Sequence, residues 1–114
     1  MSIEDNKAIV RRWQEVVLNQ RRFDLLDEVL HPDYVFQDAN IHGREEARAM
    51  FTEWFGHGPA SQFTNLDMFG EDDKIVSRWE RAASSPPSKG ISIFRIAEGK
   101  IIEDWACIEE IKSA

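Results

Sequence analysis

Residues 93–105 of the chain read IFRIAEGKIIEDW. Two runs rich in isoleucine and aromatic residues flank a central Glu-Gly pair, and this arrangement predicts a β-hairpin. A two-residue loop would pair Ile96 with Ile101, whereas a three-residue loop with Gly99 in a left-handed bulge position would pair Ile96 with Lys100. We favour the three-residue loop, because strand register follows the face that must be buried.

The favoured register predicts two faces, and both are rich in apolar side chains. One acid, Asp104, lies on the inner face opposite Ser92. The inner face also collects Phe94, Ile96, Ile102, Ala106 and Ile108. The outer face carries Ile91, Ile93, Arg95, Ile101, Glu103, Trp105 and Cys107. Because a large apolar patch is rarely left in water, we expect helices to cover the inner face and a second subunit to cover the outer one.

The first half of the chain has helical spacing, and the second half has strands. Ser2 and Asp5 have the spacing of a capping box. Apolar residues at intervals of three and four predict helices over residues 5–19, 25–30 and 44–55, with a β-rich segment at 34–38. Strands are predicted at 62–69, 74–82, 90–97 and 100–110, with 83–89 as a surface connection. Helices followed by closely spaced strands predict a single α+β domain over residues 1–114 with an antiparallel sheet.

The composition is that of one globular domain with an acidic balance. The chain has 114 residues, a formal net charge of −7 and 42% hydrophobic residues. A chain of this length buries enough surface to hold a core without a disulfide or a metal. The acidic balance argues against nucleic-acid binding, which needs a basic surface to displace phosphate counterions. Four Trp, seven Phe and one Tyr are many aromatic residues for so small a chain.

The sequence carries no signal for metal binding or membrane targeting. The lone cysteine, Cys107, has no partner for an internal disulfide, and the three histidines are too far apart for a zinc motif. No apolar run approaches the roughly 20 residues of a membrane span. The N-terminus is polar and acidic, unlike a signal peptide. We therefore expect a cytoplasmic protein with no metal, no cofactor and no membrane partner.

Three segments give the chain a family resemblance: residues 30–34 (LHPDY), residues 41–45 (IHGRE) and the hairpin at 93–105. Together they resemble the SnoaL-like branch of the nuclear-transport-factor-two superfamily, which also includes ketosteroid isomerases and limonene-epoxide hydrolases. The resemblance covers nearly the whole chain. It implies a cone-shaped, curved antiparallel sheet wrapped around the three helices of the N-terminal half. It also implies an apolar pocket, an apolar cyclic or polyketide-like small-molecule ligand, and a homodimer packed through the outer sheet face.

The resemblance does not extend to a full catalytic set of any one branch. The cyclases carry an aspartate in the last strand and a histidine on the preceding strand, and the matching positions here are Ala106 and Ser92. An epoxide hydrolase would need the same last-strand aspartate. The ketosteroid isomerases keep a general-base aspartate after the first strand, which matches Asp38. Their oxyanion hole corresponds to Gln14 and Ser92, and neither reproduces it.

Two carboxylates are the candidate catalytic residues, and each has a structural alternative. Asp104 on the inner face would be desolvated, which raises the pKa of a carboxyl group toward the range of general acids and bases. Alternatively, it accepts a hydrogen bond from Ser92 or a backbone amide and does no chemistry. Asp38 shares a strand face with Tyr34 and Phe36, which would make it a base at the pocket floor. Alternatively, it forms an Asx turn.

The candidate ligand-binding residues are side chains that helical or strand spacing directs inward. They are Trp13, Phe36, Phe51, Trp54, Phe55, Ser92, Phe94 and Ala106. Two functions are consistent with the whole set. One is an enzyme of isomerase, cyclase or hydratase type that uses Asp38 and Asp104. The other is a non-catalytic ligand-binding or dimerisation module, which Ala106 and Ser92 favour. The enzyme requires both carboxylates to face the same cavity.

Overall fold

The chain folds into short helices that pack on one six-stranded sheet. The computed structural model describes residues 2–58, 60, 62–82 and 87–111. The elements are α1 (Ile3–Arg11), α2 (Leu26–Val29), β1 (Leu30–Phe36), β2 (Ile41–His42), α3 (Arg44–Phe55), β3 (Gln62–Glu71), β4 (Lys74–Ala82), β5 (Ser88–Ala97) and β6 (Lys100–Glu110). Residues 83–86, in the predicted surface connection, lie outside the described residues. Among the described helices, none is both long enough and apolar enough to cross a bilayer.

The first helix begins at the predicted capping box. The Asp5 backbone N–H donates to Ser2 Oγ over 3.0 Å, and the Ser2 backbone N–H donates to Asp5 Oδ2 over 3.2 Å. Two donors at the start of the helix are thereby satisfied. The helix continues as a π-helical segment, Arg12–Leu18, where the Asn19 N–H donates to the Gln14 carbonyl over 3.0 Å. The predicted first helix is therefore confirmed, with a wider last part that apolar spacing alone did not predict. Such segments are frequent at functional sites.

The second helix is shorter than predicted, because β1 already begins at Leu30. Leu30 has φ −97° and ψ 134°, which is extended backbone, and it pairs with Ile101 of β6. Pro32 consequently lies inside β1 and does not follow a helix. Leu30 is fully buried in its strand position. Its apolar character was therefore compatible with either a last helical turn or a first strand residue, and the helical prediction at this residue was wrong.

The six strands form one sheet in the order β2-β1-β6-β5-β4-β3. Neighbouring strands are antiparallel except β1 and β6, which run parallel. The sheet is curved and does not close. Helix α3 occupies the predicted residues and packs on the inner face through Ala47, Phe51 and Phe55, all of which are buried. The predicted α+β fold, a curved sheet wrapped around helices, is confirmed.

The hairpin between β5 and β6 corrects the predicted loop. Glu98 and Gly99 form a two-residue turn in which both have positive φ, 54° and 75°. Ile96 pairs with Ile101, so the favoured three-residue loop was wrong. Two consecutive left-handed residues give a turn whose twist matches that of the flanking strands. In this register Ile101 is fully buried in the core, instead of facing outward as predicted.

A β-bulge follows the turn and restores the predicted faces further along β6. The register shifts next to Ile96, and Ile102 is the extra residue on β6. Beyond the bulge Asp104 lies opposite Phe94, so the predicted pairing of Asp104 with Ser92 was wrong. Asp104 nevertheless lies on the inner face, where it is 5% exposed. The extra residue at the bulge shifts the inward and outward alternation of β6 by one position. The predicted three-residue loop would have caused the same shift, so Asp104 lies on the predicted face in spite of the different turn.

The outer face of the sheet carries an apolar row that crosses four strands. Its paired members, here called the outer row, are Phe69, Val76, Ile93 and Trp105. Phe69 is 59% exposed, so the row faces solvent in a single chain. Ion pairs flank it on both sides: Arg78 with Asp67 at 2.6 Å, and Arg95 with Glu103. The predicted apolar outer face is therefore present.

Candidate functional site

A cavity of about 380 Å³ lies between the inner sheet face and the helices. All ten predicted site residues line it: Trp13, Phe36, Asp38, Phe51, Trp54, Phe55, Ser92, Phe94, Asp104 and Ala106. They come from the first helix, from α3 and from strands at opposite ends of the sequence. The alternation of strand faces and the helical stripes brought them together as expected. The role of each in catalysis or binding stays a prediction.

Phe51 of α3 is the centre of the aromatic wall of this cavity. Its ring is edge-on to Trp13, with centroids 4.9 Å apart, and stacked on Phe36 and Phe55 at 6.0 and 5.9 Å. Phe51 is only 4% exposed. Aromatic pairs of this kind contribute about 0.5–1.5 kcal/mol each beyond the area they bury. They therefore hold α3 and β1 together across one end of the cavity.

Trp54, which helical spacing was expected to direct inward, lies at the edge of that wall. It is 42% exposed, and its ring is edge-on to Phe51 at 5.5 Å and to Phe36 at 6.4 Å. The buried stripe of α3 follows Ala47, Phe51 and Phe55 at intervals of four. A residue three positions after Phe51 falls at the margin of this stripe. Trp54 thus borders the cavity where it opens to solvent.

Asp104 is a buried acid on β6. The Tyr34 hydroxyl donates to its Oδ2 over 3.0 Å. Burial raises the pKa of Asp104 to about 7; the hydrogen bond from Tyr34 lowers it and the nearby Asp38 carboxylate raises it. Among the described residues, Oδ1 has no hydrogen-bond partner. Near neutral pH this carboxyl group is therefore present in both protonation states.

Asp38 lies on the 3-10 turn Gln37–Ala39 that follows β1. Its Oδ2 accepts a hydrogen bond from the Ala106 backbone N–H over 2.6 Å. The side chain thus bonds across to β6 and not within its own turn, unlike the Asx alternative. Ala106 and Asp104 are two residues apart on β6, so their Cα atoms are roughly 7 Å apart. Both carboxylates line the same cavity, which is the arrangement that the enzyme hypothesis requires. Asp38 is also exposed to solvent, which favours the non-catalytic binding module.

Comparison with known proteins now decides the family. The SnoaL-like domain family matches residues 10–104, which is most of the chain. The chain belongs to the SnoaL-like family. The resemblance stated from the sequence is thereby confirmed. None of the curated proteins matches the sequence.

Solved structures share the SnoaL-like fold at low sequence identity. A protein described as a SnoaL-like polyketide cyclase from Jannaschia sp. is 18% identical, with a TM-score of 0.79 over 94% of this chain and 87% of that one. TsrD from Streptomyces laurentii is 20% identical, with a TM-score of 0.81 over 96% and 91%. An LEH-like epoxide hydrolase from M. tuberculosis is 14% identical, with a TM-score of 0.81 over 94% and 84%. Likeness at this identity establishes the fold and leaves the activity open.

Two positions where this SnoaL-like chain departs from the cyclases have structural contacts of their own. Ala106 supplies the backbone N–H that holds Asp38. Ser92 Oγ accepts a hydrogen bond from Trp79 Nε1 over 2.9 Å. Ser92 is therefore engaged with β4, and the alternative in which it bonds Asp104 was wrong. The hydroxyl that reaches Asp104 belongs to Tyr34.

Tyr34 was not among the predicted site residues of this SnoaL-like domain. It is the single tyrosine of the chain and is fully buried. A buried phenol needs a hydrogen-bond partner, and Tyr34 alternates on β1 with the same parity as Phe36. An inward-facing acid on a neighbouring strand was therefore the partner to expect. What the sequence did not reveal is that β1 lies beside β6, because that pairing joins strands far apart in the chain.

Gln14 is a further polar residue in the wall of the cavity that was not among the predicted site residues. It is only 2% exposed although it is polar, because it lies in a helical stripe that also buries Val10 and Val17. Its Nε2 donates to Ser77 Oγ over 3.2 Å, and its Oε1 accepts from Asn65 Nδ2 over 2.5 Å. Both ends of the amide are thus engaged, which fixes its orientation. A polar residue inside an apolar stripe was the available sequence signal.

Proposed function

We propose that this domain binds an apolar cyclic or polyketide-like molecule in its cavity and transfers protons on it. The reaction would be of isomerase, cyclase or hydratase type. The main support is that Asp38 and Asp104 line one cavity whose other walls are largely aromatic. Asp104 is buried there, and exclusion of water strengthens its interaction with a reacting group. Asp38 lies at the solvent-exposed margin of the same cavity.

In the proposed mechanism Asp38 is the base and Asp104 is the acid. Asp38, held by the Ala106 N–H, removes a proton from a carbon next to a carbonyl group. Protonated Asp104 donates to the carbonyl oxygen, where negative charge develops. Tyr34 holds Oδ2 and so fixes the carboxyl group. Returning the proton to a different carbon gives an isomer, and attack of the enolate on a second carbonyl gives a ring.

The base can be tested without the natural substrate. 5-Nitrobenzisoxazole loses one carbon-bound proton to a base, its N–O bond breaks, and a coloured nitrophenolate with a nitrile group forms. We expect Asp38→Asn to lower kcat/KM for this probe by roughly 100-fold, because a positioned general base contributes about 10²–10⁴-fold. Asp33→Asn is the matched control: this carboxylate lies on β1 but is 85% exposed, and its variant should keep the wild-type rate.

The same assay separates the two functions that the sequence left open. A loss of rate in Asp38→Asn, without a loss in Asp33→Asn, supports the enzyme. A wild-type chain whose tryptophan fluorescence is quenched by the probe, but which does not accelerate ring opening beyond acetate buffer, contradicts the enzyme. That outcome would favour the non-catalytic ligand-binding module.

We also propose that two copies pair through the outer sheet face. The outer row presents apolar side chains on four adjacent strands, and Ile93 near its centre is 37% exposed. A two-fold axis through the row would bring it against itself. The ion pairs on either side, Arg78 with Asp67 and Arg95 with Glu103, supply both charges at each border.

Sedimentation velocity at micromolar concentration tests this pairing. We expect a dimer for the wild-type chain and a monomer for Ile93→Lys, since an unpaired charge at the centre of an apolar interface costs several kcal/mol. Ile111→Lys is the matched control, because Ile111 is equally exposed at 37% but follows the end of β6. A monomeric wild-type chain would contradict the proposal.

A further inference from the structure

The cavity has a cationic end as well as an acidic one. Arg81 on β4 lines it together with Ser88, its partner on β5. Among the described residues that line the cavity, Arg81 is the one with a positive charge. Its inward direction follows from the alternation of β4, in which Ile75, Ser77 and Trp79 are all buried on the same face.

Arg81 is well separated from the two carboxylates along the sheet. Asp38 bonds to Ala106 of β6. Ala106 pairs with Ser92 of β5, and Ser92 pairs with Ser77 of β4. Ser77 and Arg81 are four residues apart on β4, or about 13 Å. On the strands, Arg81 and the two carboxylates therefore belong to different ends of the cavity. The distance is that between two ends of one small ligand.

The Arg81 side chain is held against aromatic rings in the cavity wall. Its guanidinium lies 4.3 Å from the ring centroid of Phe55 and 5.7 Å from that of Phe63. Burial lowers the pKa of Arg81 from its usual value, although a guanidinium remains charged in proteins. Stacking uses the face of the group, while its five N–H donors point outward from the edge and can serve more than one acceptor. A planar fork of this kind matches a carboxylate.

We propose that Arg81, with Ser88 beside it, binds a carboxylate group of the ligand, whose apolar body extends through the cavity to Asp38 and Asp104. This inference rests on the proposed function for the orientation of the ligand in the cavity. It also names the class of ligand: an apolar, ring-containing carboxylic acid. The aromatic walls between the two ends suit the rings of such a ligand. Arg81 is half-buried, and partial removal from water strengthens the attraction between its guanidinium and an anion. The carboxylate thus lies at the end of the cavity remote from the chemistry.

Binding of biphenyl-4-carboxylate and of the neutral biphenyl-4-carboxamide, measured by calorimetry, tests the proposal. We expect the wild-type chain to bind the acid at least about tenfold more tightly than the amide, because a hydrogen bond to a charged group is stronger than one to a neutral group. Arg81→Gln should remove this preference while leaving the affinity for the amide within about twofold. The retained amide affinity shows that the variant is folded.

Two further variants sharpen the result. Arg78→Gln, on the same strand but on the outer face, should keep the full preference for the acid. Arg81→Lys keeps the charge without the planar fork, so its preference should fall between those of the wild-type chain and Arg81→Gln. Equal affinity of the wild-type chain for acid and amide, no binding of the acid, or an unchanged preference in Arg81→Gln would each overturn the proposal. Asp38→Asn should keep the preference, so a failure of the proton-transfer mechanism is distinguishable from a failure of the anion site.

Discussion

Replacing Phe51 by alanine is expected to lower the free energy of unfolding by about 3–5 kcal/mol, the range for a large aromatic side chain removed from a core. The Phe51 ring contacts five other aromatic rings, those of Trp13, Tyr34, Phe36, Trp54 and Phe55. The neighbours come from the first helix, from β1 and from α3 itself. Because they are fixed to three different elements, they cannot all move into the vacated space, and part of a cavity would remain.

Urea denaturation followed by tryptophan fluorescence, at fixed protein concentration, measures this effect. Phe51→Leu is the matched control: it retains most of the apolar volume and should cost less than about 1.5 kcal/mol. A loss below about 1 kcal/mol in Phe51→Ala would mean that the aromatic wall is not part of the stable core. A similar loss in both variants would assign the effect to ring contacts and not to volume.

The stability of the folded chain is expected to fall as the pH rises from about 4 to about 7, because of Asp104. Its folded pKa, about 7, lies above the ordinary value of 3.8. Between these values the folded state binds more protons at this site than the unfolded state, so the free energy of unfolding decreases with rising pH. A difference of about three pKa units corresponds to about 4 kcal/mol across the window. Below pH 4 and above pH 7 this contribution becomes constant.

The difference between the wild-type chain and Asp104→Asn isolates this contribution. Asp5 and Asp24 have pKa values lowered by hydrogen bonds with Ser2 and Arg22 respectively, so they give a slope of opposite sign at lower pH. Asn has no proton to lose, and its variant should lack the decline between pH 4 and pH 7. Asp33→Asn, on the exposed side of β1, should retain it. Parallel curves for the wild-type chain and Asp104→Asn would contradict the assignment of a raised pKa to this residue.

Most of the fold follows from patterns that are local in the sequence. The capping box at Ser2, the stripe of α3 and the strand boundaries of β4 and β6 each depend on residues close to one another in the chain. The hairpin register could not be decided in this way, because Ile101 and Ile102 are identical side chains and either could be the buried one. The bulge that decides between them is a matter of packing against the helices, which involves residues far away in the chain.

The sequence predicted which face of a strand or helix carries each site residue, but not which side chains these residues contact. Asp104 was placed inward from a register that was wrong near the loop, and the bulge at Ile102 gives the same outcome further along. Tyr34 and Arg81 were missed for a common reason. Their importance depends on which strands become neighbours and on the curvature of the sheet. Arg81 follows Arg78 and Glu80 on β4, so the sequence around it resembles an ordinary solvent-facing strand end.

The bulge at Ile102 also determines where the length of β6 can change. Ile102 is the extra residue of this strand at the register shift. Deleting it would leave a regular ladder in which Asp104 still lies opposite Phe94, so the later residues of β6 would keep their faces. Deleting Trp105 instead would carry Ala106 to the outer face, because no bulge absorbs the change there. Related chains should therefore vary in length at the bulge and at the turn of residues 98–99, while keeping the spacing from Asp104 to Ala106 unchanged.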